Sequence, residues 1–117
     1  MGNKILVVDD EPDIVEYLSD ILQERGYTVR SADNGITAFE QVQAERPDLI
    51  LLDVEMPQET GTGFYRKLTR RSELRDIPVI IVSGYHSRHV AVSKGVPVLD
   101  KPINEAVLLS EVARLLA

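Results

Sequence analysis

The sequence predicts an α/β fold: a doubly wound parallel sheet of five strands with helices on both faces. Two observations carry that reading. Short runs rich in Val and Ile recur without polar alternation, as strands covered on both faces do. Between them lie stretches whose apolar residues return with helical spacing. Alternating strands and helices require right-handed crossovers, and hence a parallel sheet.

The first strand is the run Ile5-Leu6-Val7-Val8. A helix follows, with Pro12 near its start, Gly26 just past its end, and a stripe of Ile14, Val15, Leu18, Ile21 and Leu22. Residues 27–31 alternate more than the other runs, so this second strand suits an edge of the sheet. Asn34 can cap a helix through Ala38, Phe39 and Val42, stopped by Pro47. Leu49-Ile50-Leu51-Leu52 is the third strand, and Phe64, Tyr65 and Leu68 mark the next helix. Val79-Ile80-Ile81-Val82 is the fourth strand and Val96-Pro97-Val98-Leu99 the fifth. Residues 84–95 between them are only weakly amphipathic, so the fourth helix is expected to be short, irregular or absent. The last helix places Val107, Leu108, Val112, Leu115 and Leu116 on a core face.

At 117 residues the chain is expected to be one domain, residues 1–117, large enough to bury a core without staples. It has no cysteine, which excludes disulfides and thiolate metal sites. Its apolar runs are too short to span a bilayer and no signal segment opens it, so the expected compartment is the cytoplasm and no membrane partner is expected. A net charge of −6 opposes direct nucleic-acid binding, whose affinity comes from neutralising phosphates. The basic stretch 66–75 alternates with apolar and acidic residues and reads as a solvated helix face.

The ends of the runs are the informative feature. Asp9 and Asp10 follow the first, Asp53 the third, Ser83 the fourth, and Lys101-Pro102 the fifth. Ligands of open parallel sheets sit beyond the carboxyl ends of the strands, so these residues are expected to meet. Three carboxylates together repel one another, and a bound divalent cation removes the conflict. Oxygen ligands select Mg²⁺, with Mn²⁺ or Ca²⁺ able to substitute. Lysine adds a compact positive charge for a phosphoryl oxygen, and Ser83 one hydrogen-bond donor. Carboxylate, cation, ammonium and hydroxyl together describe a phosphoryl-transfer site, with Asp53, on a strand expected to be central, as the nucleophile.

Four pieces of sequence resemble the receiver domain of bacterial two-component response regulators. They are Ile5-Leu6-Val7-Val8-Asp9-Asp10-Glu11-Pro12, Leu51-Leu52-Asp53-Val54-Glu55-Met56-Pro57, Val82-Ser83-Gly84-Tyr85 and Lys101-Pro102. The resemblance covers nearly the whole chain and implies the flavodoxin-like strand order 2-1-3-4-5. It implies that Asp53 accepts phosphate from a phosphohistidine on a sensor histidine kinase or histidine phosphotransfer protein. Asp9, Asp10, Asp53 and the backbone carbonyl of Glu55 would hold Mg²⁺. Ser83 would be the switch hydroxyl, Lys101 would pair with the phosphoryl group, and the Lys101–Pro102 bond would be cis.

The chain departs from that pattern in three places. Val98 stands where the family usually has an aromatic residue, so an aromatic switch is missing there. Ser83 and Lys101 are 18 residues apart, shorter than the usual spacing by about one helical turn. The loop over residues 56–63 is longer than is customary. Tyr85 is the nearest substitute for the missing ring; packing is its ordinary reading, and shielding an acyl phosphate from water its functional one. Glu55 is expected at the site mouth, where it would repel or orient water. His86 and His89 lie three apart but lack further soft ligands, so they read as solvated or partner-facing.

The expected function is therefore a self-phosphorylating and autodephosphorylating signalling module rather than a metabolic enzyme, acting as a single-domain regulator or phosphorelay shuttle. It would be a monomer or a phosphorylation-dependent dimer, with an unspecified downstream target protein. A receiver cut from a hybrid histidine kinase or a larger regulator is the alternative. An aspartyl-phosphate phosphatase is a remote rival, since Asp53-Val54-Glu55 lacks the second aspartate that such enzymes carry. A flavin protein would need a Ser-, Thr- and Gly-rich loop where Asp9-Asp10-Glu11-Pro12 stands.

Overall fold

The computed structural model describes residues 3–55, 61–84 and 96–117. Its elements run β1 (Lys4–Val8), α1 (Pro12–Glu24), β2 (Thr28–Ala32), α2 (Gly35–Ala44), β3 (Leu49–Asp53), α3 (Gly61–Thr69), β4 (Val79–Ser83), β5 (Val98–Asp100) and α4 (Glu105–Leu116). The five strands form one parallel sheet in the order β2-β1-β3-β4-β5. The predicted fold class and strand order are those observed, and the more alternating β2 lies at an edge.

Burial explains which strand took which place. All five residues of β3 and of β4 are buried, as central strands covered on both faces must be. The sheet divides the core in two. On one side Leu6, Val8, Ile50, Leu52 and Ile81 meet α2 and α3 through Ala38, Val42, Phe64 and Leu68. On the other, Ile5, Val7, Leu49, Leu51 and Ile80 meet α1 and α4 through Leu18, Leu22, Leu108 and Val112. Alternate residues of each strand go to opposite layers, which is the period-two rule of the strand.

Local signals set the helix boundaries. Pro12 opens α1, where its missing N–H costs nothing. Gly26 follows α1 at φ 89°, a left-handed turn that side chains disfavour. The side chain of Asn34 caps α2 by accepting from Thr37 N at 2.8 Å, and Asn104 caps α4 by accepting from Val107 N at 3.0 Å.

Two expectations need correction. The fifth strand begins at Val98 rather than Val96, because Pro97 has no N–H for the ladder; only its carbonyl takes part, accepting from Ile81 N at 2.8 Å. Val107 is 48% exposed rather than in the core. Helical rotation puts Leu108, Val112 and Leu115 on one face and turns Val107 to its flank. The lengthened loop expected over residues 56–63 is cut short, since 61–63 already belong to α3; its residues 56–60, the expected irregular fourth helix, Tyr85, His86 and His89 lie outside the described residues.

Candidate functional site

Parallel strands all point the same way, so the residues that end β1, β3, β4 and β5 arrive at one edge of the sheet. Asp53 is the last residue of β3 and Asp9 the first beyond β1; each is 2% exposed. Asp10 and Glu11 lie on the exposed turn leading into α1. Asp9, Asp10, Glu11 and Asp53 each offer a carboxylate oxygen within 4.8 Å of the others. A pocket of about 410 Å³ opens beside this group, lined by Asp9, Asp10, Ser31, Asp33 and Thr37 among others.

Backbone N–H groups orient the two buried acids. Glu11 N donates to Asp9 Oδ1 at 2.9 Å, and Glu55 N donates to Asp53 Oδ1 at 2.9 Å. Each bond spans two residues and turns the carboxylate back over its own loop, as short acidic side chains do at turns. Asp9 Oδ2 is buried, with no hydrogen-bond donor among the described residues.

Lys101 enters from the far strand. Its backbone N continues the sheet by donating to Ser83 O at 2.9 Å, and its bond to Pro102 is cis, as the resemblance implied. Its Nζ stands 3.2 Å from Glu11 Oε1, 3.5 Å from Asp53 Oδ1, 3.7 Å from Asp9 Oδ2 and 3.8 Å from Glu55 Oε1. Among the described residues, one ammonium thus faces four carboxylates.

The charges remain unbalanced. Burial pushes the Asp53 carboxyl up to about 6; the Glu55 N–H opposes the rise, Asp9 adds to it, and Lys101 offsets part. Burial likewise raises Asp9, against the Glu11 N–H and Lys101. Burial alone would lower Lys101, but Asp53, Asp9 and Glu11 outweigh it and hold its pKa above the usual value.

Ser83 ends β4 and is 1% exposed; its hydroxyl has no hydrogen-bond partner among the described residues. In the ladder it follows Val82, the residue paired with Asp53. A buried hydroxyl without a partner is costly and suits a position that an incoming oxygen completes. Glu55 lies over Gly84, where a Cβ would sit 2.8 Å from both carboxylate oxygens. Val98, at the aromatic's usual position, is 48% exposed on β5.

The structure brings together Asp9, Asp10, Asp53 and Lys101, with Ser83 at the adjoining strand end and Glu55 at the mouth. Sequence reasoning assigned no role to Glu11. Its adjacency to the acid pair was visible, but its partner lies 90 residues away in the chain. The resting contact between Glu55 and Gly84 was equally hidden.

Comparison with known proteins agrees with this fold. The protein Rrf1 of Nitratidesulfovibrio vulgaris is 37% identical over 117 residues, covering 100% of this chain and 85% of Rrf1. PilH of Pseudomonas aeruginosa is 35% identical over 118 residues, covering 97% of this chain and 98% of PilH. The crystal structure of the signal receiver domain of a histidine kinase from Syntrophus aciditrophicus superposes with a TM-score of 0.87 at 35% identity. That match covers 98% of this chain and 90% of the other. The response regulator receiver domain family matches residues 5–113. Receiver domains serve two-component signalling with sensor histidine kinases or phosphotransfer proteins, and they bind Mg²⁺ through an acidic pocket. No helix among the described residues is long and apolar enough to cross a membrane. With fold, site geometry and relatives in agreement, the chain belongs to the response regulator receiver domains.

Proposed function

We propose that Asp53 is the phosphoacceptor of this receiver and that Asp9, Asp10 and Asp53, with the backbone carbonyl of Glu55, hold Mg²⁺. The carrying observation is the buried Asp53 carboxylate at a strand end, facing Lys101 Nζ at 3.5 Å within a cluster of four acids. The donor set fits a hard divalent cation: all its side-chain ligands are carboxylate oxygens, and the pocket beside Asp9 and Asp10 has room for bound water. When bound, that cation supplies positive charge that offsets the clustered carboxylates and the phosphoryl oxygens.

The protein's own groups do the rest. One Asp53 oxygen is fixed by the Glu55 N–H, which leaves the other to attack phosphorus. A P–O bond to Asp53 forms as the P–N bond to the donor imidazole breaks, and the leaving nitrogen takes a proton. Lys101 neutralises a phosphoryl oxygen, and the unpartnered Ser83 hydroxyl donates to another. The phosphoryl group carries about −1.5 to −2 charges where the carboxylate carried −1, and it presents three acceptor oxygens that draw both side chains inward. Glu55, at the mouth against Gly84, meets water or donor before either reaches Asp53. Tyr85 is proposed to shield the same opening.

A single-domain regulator or relay shuttle fits the match to PilH, 98% of whose length the chain covers. It would act as a monomer or as a dimer formed on phosphorylation. Incubation with ³²P-labelled acetyl phosphate and Mg²⁺ tests the central assignment. Wild type should incorporate label and Asp53→Asn should not; equal labelling of the two would refute Asp53 as acceptor.

A further inference from the structure

Glu11 is the N-cap residue of α1, yet its side chain makes no hydrogen bond to that helix. Effective caps are short: Ser, Thr, Asp or Asn reach the N–H groups of the first turn. Glutamate is one methylene longer than aspartate, and here it crosses the mouth and accepts a hydrogen bond from Lys101 Nζ at 3.2 Å. Among the four described carboxylates around Lys101 it is the nearest, and the only one that accepts a hydrogen bond from the Lys101 ammonium. It also differs in setting. The Asp9 and Asp53 side chains are buried, whereas the Glu11 side chain is 60% exposed.

We infer that Glu11 is a positioning residue that holds the Lys101 ammonium at the mouth in the resting state and gives it up when Asp53 carries a phosphoryl group. The inference rests on Asp53 being the phosphoacceptor. Lys101 has one ammonium on a flexible stem, and it serves Glu11 and a phosphoryl oxygen in competition. The hold opposes the phosphorylated state by what an exposed ion pair is worth, about a two- to fivefold factor in affinity. Glu11 thereby sets how readily the site accepts a phosphoryl group without touching the reacting atoms.

Calorimetric titration with beryllofluoride, a stand-in for the acyl phosphate, at saturating Mg²⁺ tests this. Glu11→Asp keeps the charge, shortens the reach and supplies a residue that caps α1, so its melting temperature should equal or exceed that of wild type. It should bind beryllofluoride about two- to fivefold more tightly than wild type. Its affinity for Mg²⁺ alone should stay within about twofold, because the local charge is unchanged. Equal beryllofluoride affinity in Glu11→Asp and wild type would overturn the inference. So would tighter binding in Glu11→Gln and Glu55→Gln without tightening in Glu11→Asp, since charge rather than the tether would then be responsible. Failure of wild type itself to bind beryllofluoride would overturn the phosphoacceptor reading and this inference with it.

Discussion

At the scale of single residues, the site is a burial of charge that Lys101 and two backbone N–H groups compensate only in part. Asp53 has its carboxyl raised from 3.8 to about 6, so the folded chain favours its protonated form. A raised acid contributes stability that is fully present below its unfolded pKa and is lost as pH rises through the folded value. The metal-free protein should therefore lose stability between pH 4 and 6 through this group. Asp53→Asn removes the charge at nearly constant shape. Urea titration without Mg²⁺ should find it more stable than wild type at pH 7.5 by about 1–2 kcal/mol, with the gap closing near pH 4. A second test concerns Gly84, whose missing Cβ leaves room for the Glu55 carboxylate. Gly84→Ala should displace that flexible end at little cost in stability while changing the rate of phosphorylation by acetyl phosphate. In a Glu55→Ala background the same substitution should leave the rate unchanged, and a persisting effect would show that the two are not coupled.

At the scale of elements, the caps are the measurable joints. Asn34 and Asn104 each satisfy one N–H at a helix start, and each replacement by alanine should lower unfolding free energy by about 1 kcal/mol in chemical denaturation. The Asn104 change starts α4 only three residues beyond Lys101, so it should also weaken beryllofluoride binding more than Asn34→Ala does. The Asn34 joint was legible in the sequence, as were the strands, because caps and apolar runs are local signals; the Asn104 cap emerged only in the structure. Asp9, Asp53, Ser83 and Lys101 were legible for a topological reason: parallel strands deliver their last residues to one edge. What stayed hidden depended on distant partners or on small rotations. Val107 and Leu108 are neighbours in one apolar stripe, and packing alone decided that Leu108 goes inward. Pro97 lay inside an apolar run whose hydrogen-bonding start its missing N–H postponed to Val98. Glu11 looked like one more acid of a turn until the fold brought Lys101 against it.

At the scale of the whole molecule, the proposed site makes cation binding and folding draw on the same carboxylates. Mg²⁺ should raise the melting temperature, with about 2.7 kcal/mol of stabilisation at one hundred times its dissociation constant. Chelation should reverse the gain. Protons compete for Asp53 near pH 6, so the gain should be larger at pH 8 than at pH 5, which thermal scans with and without Mg²⁺ would show. A pH-independent gain would place the cation elsewhere. The two buried acids also bear on how such a protein changes over generations. Without its cation the fold is held back by Asp9 and Asp53, so a selection for heat resistance alone would favour their loss first. Laboratory lineages kept under that pressure should collect neutral residues at positions 9 and 53 and become sturdier, silent receivers.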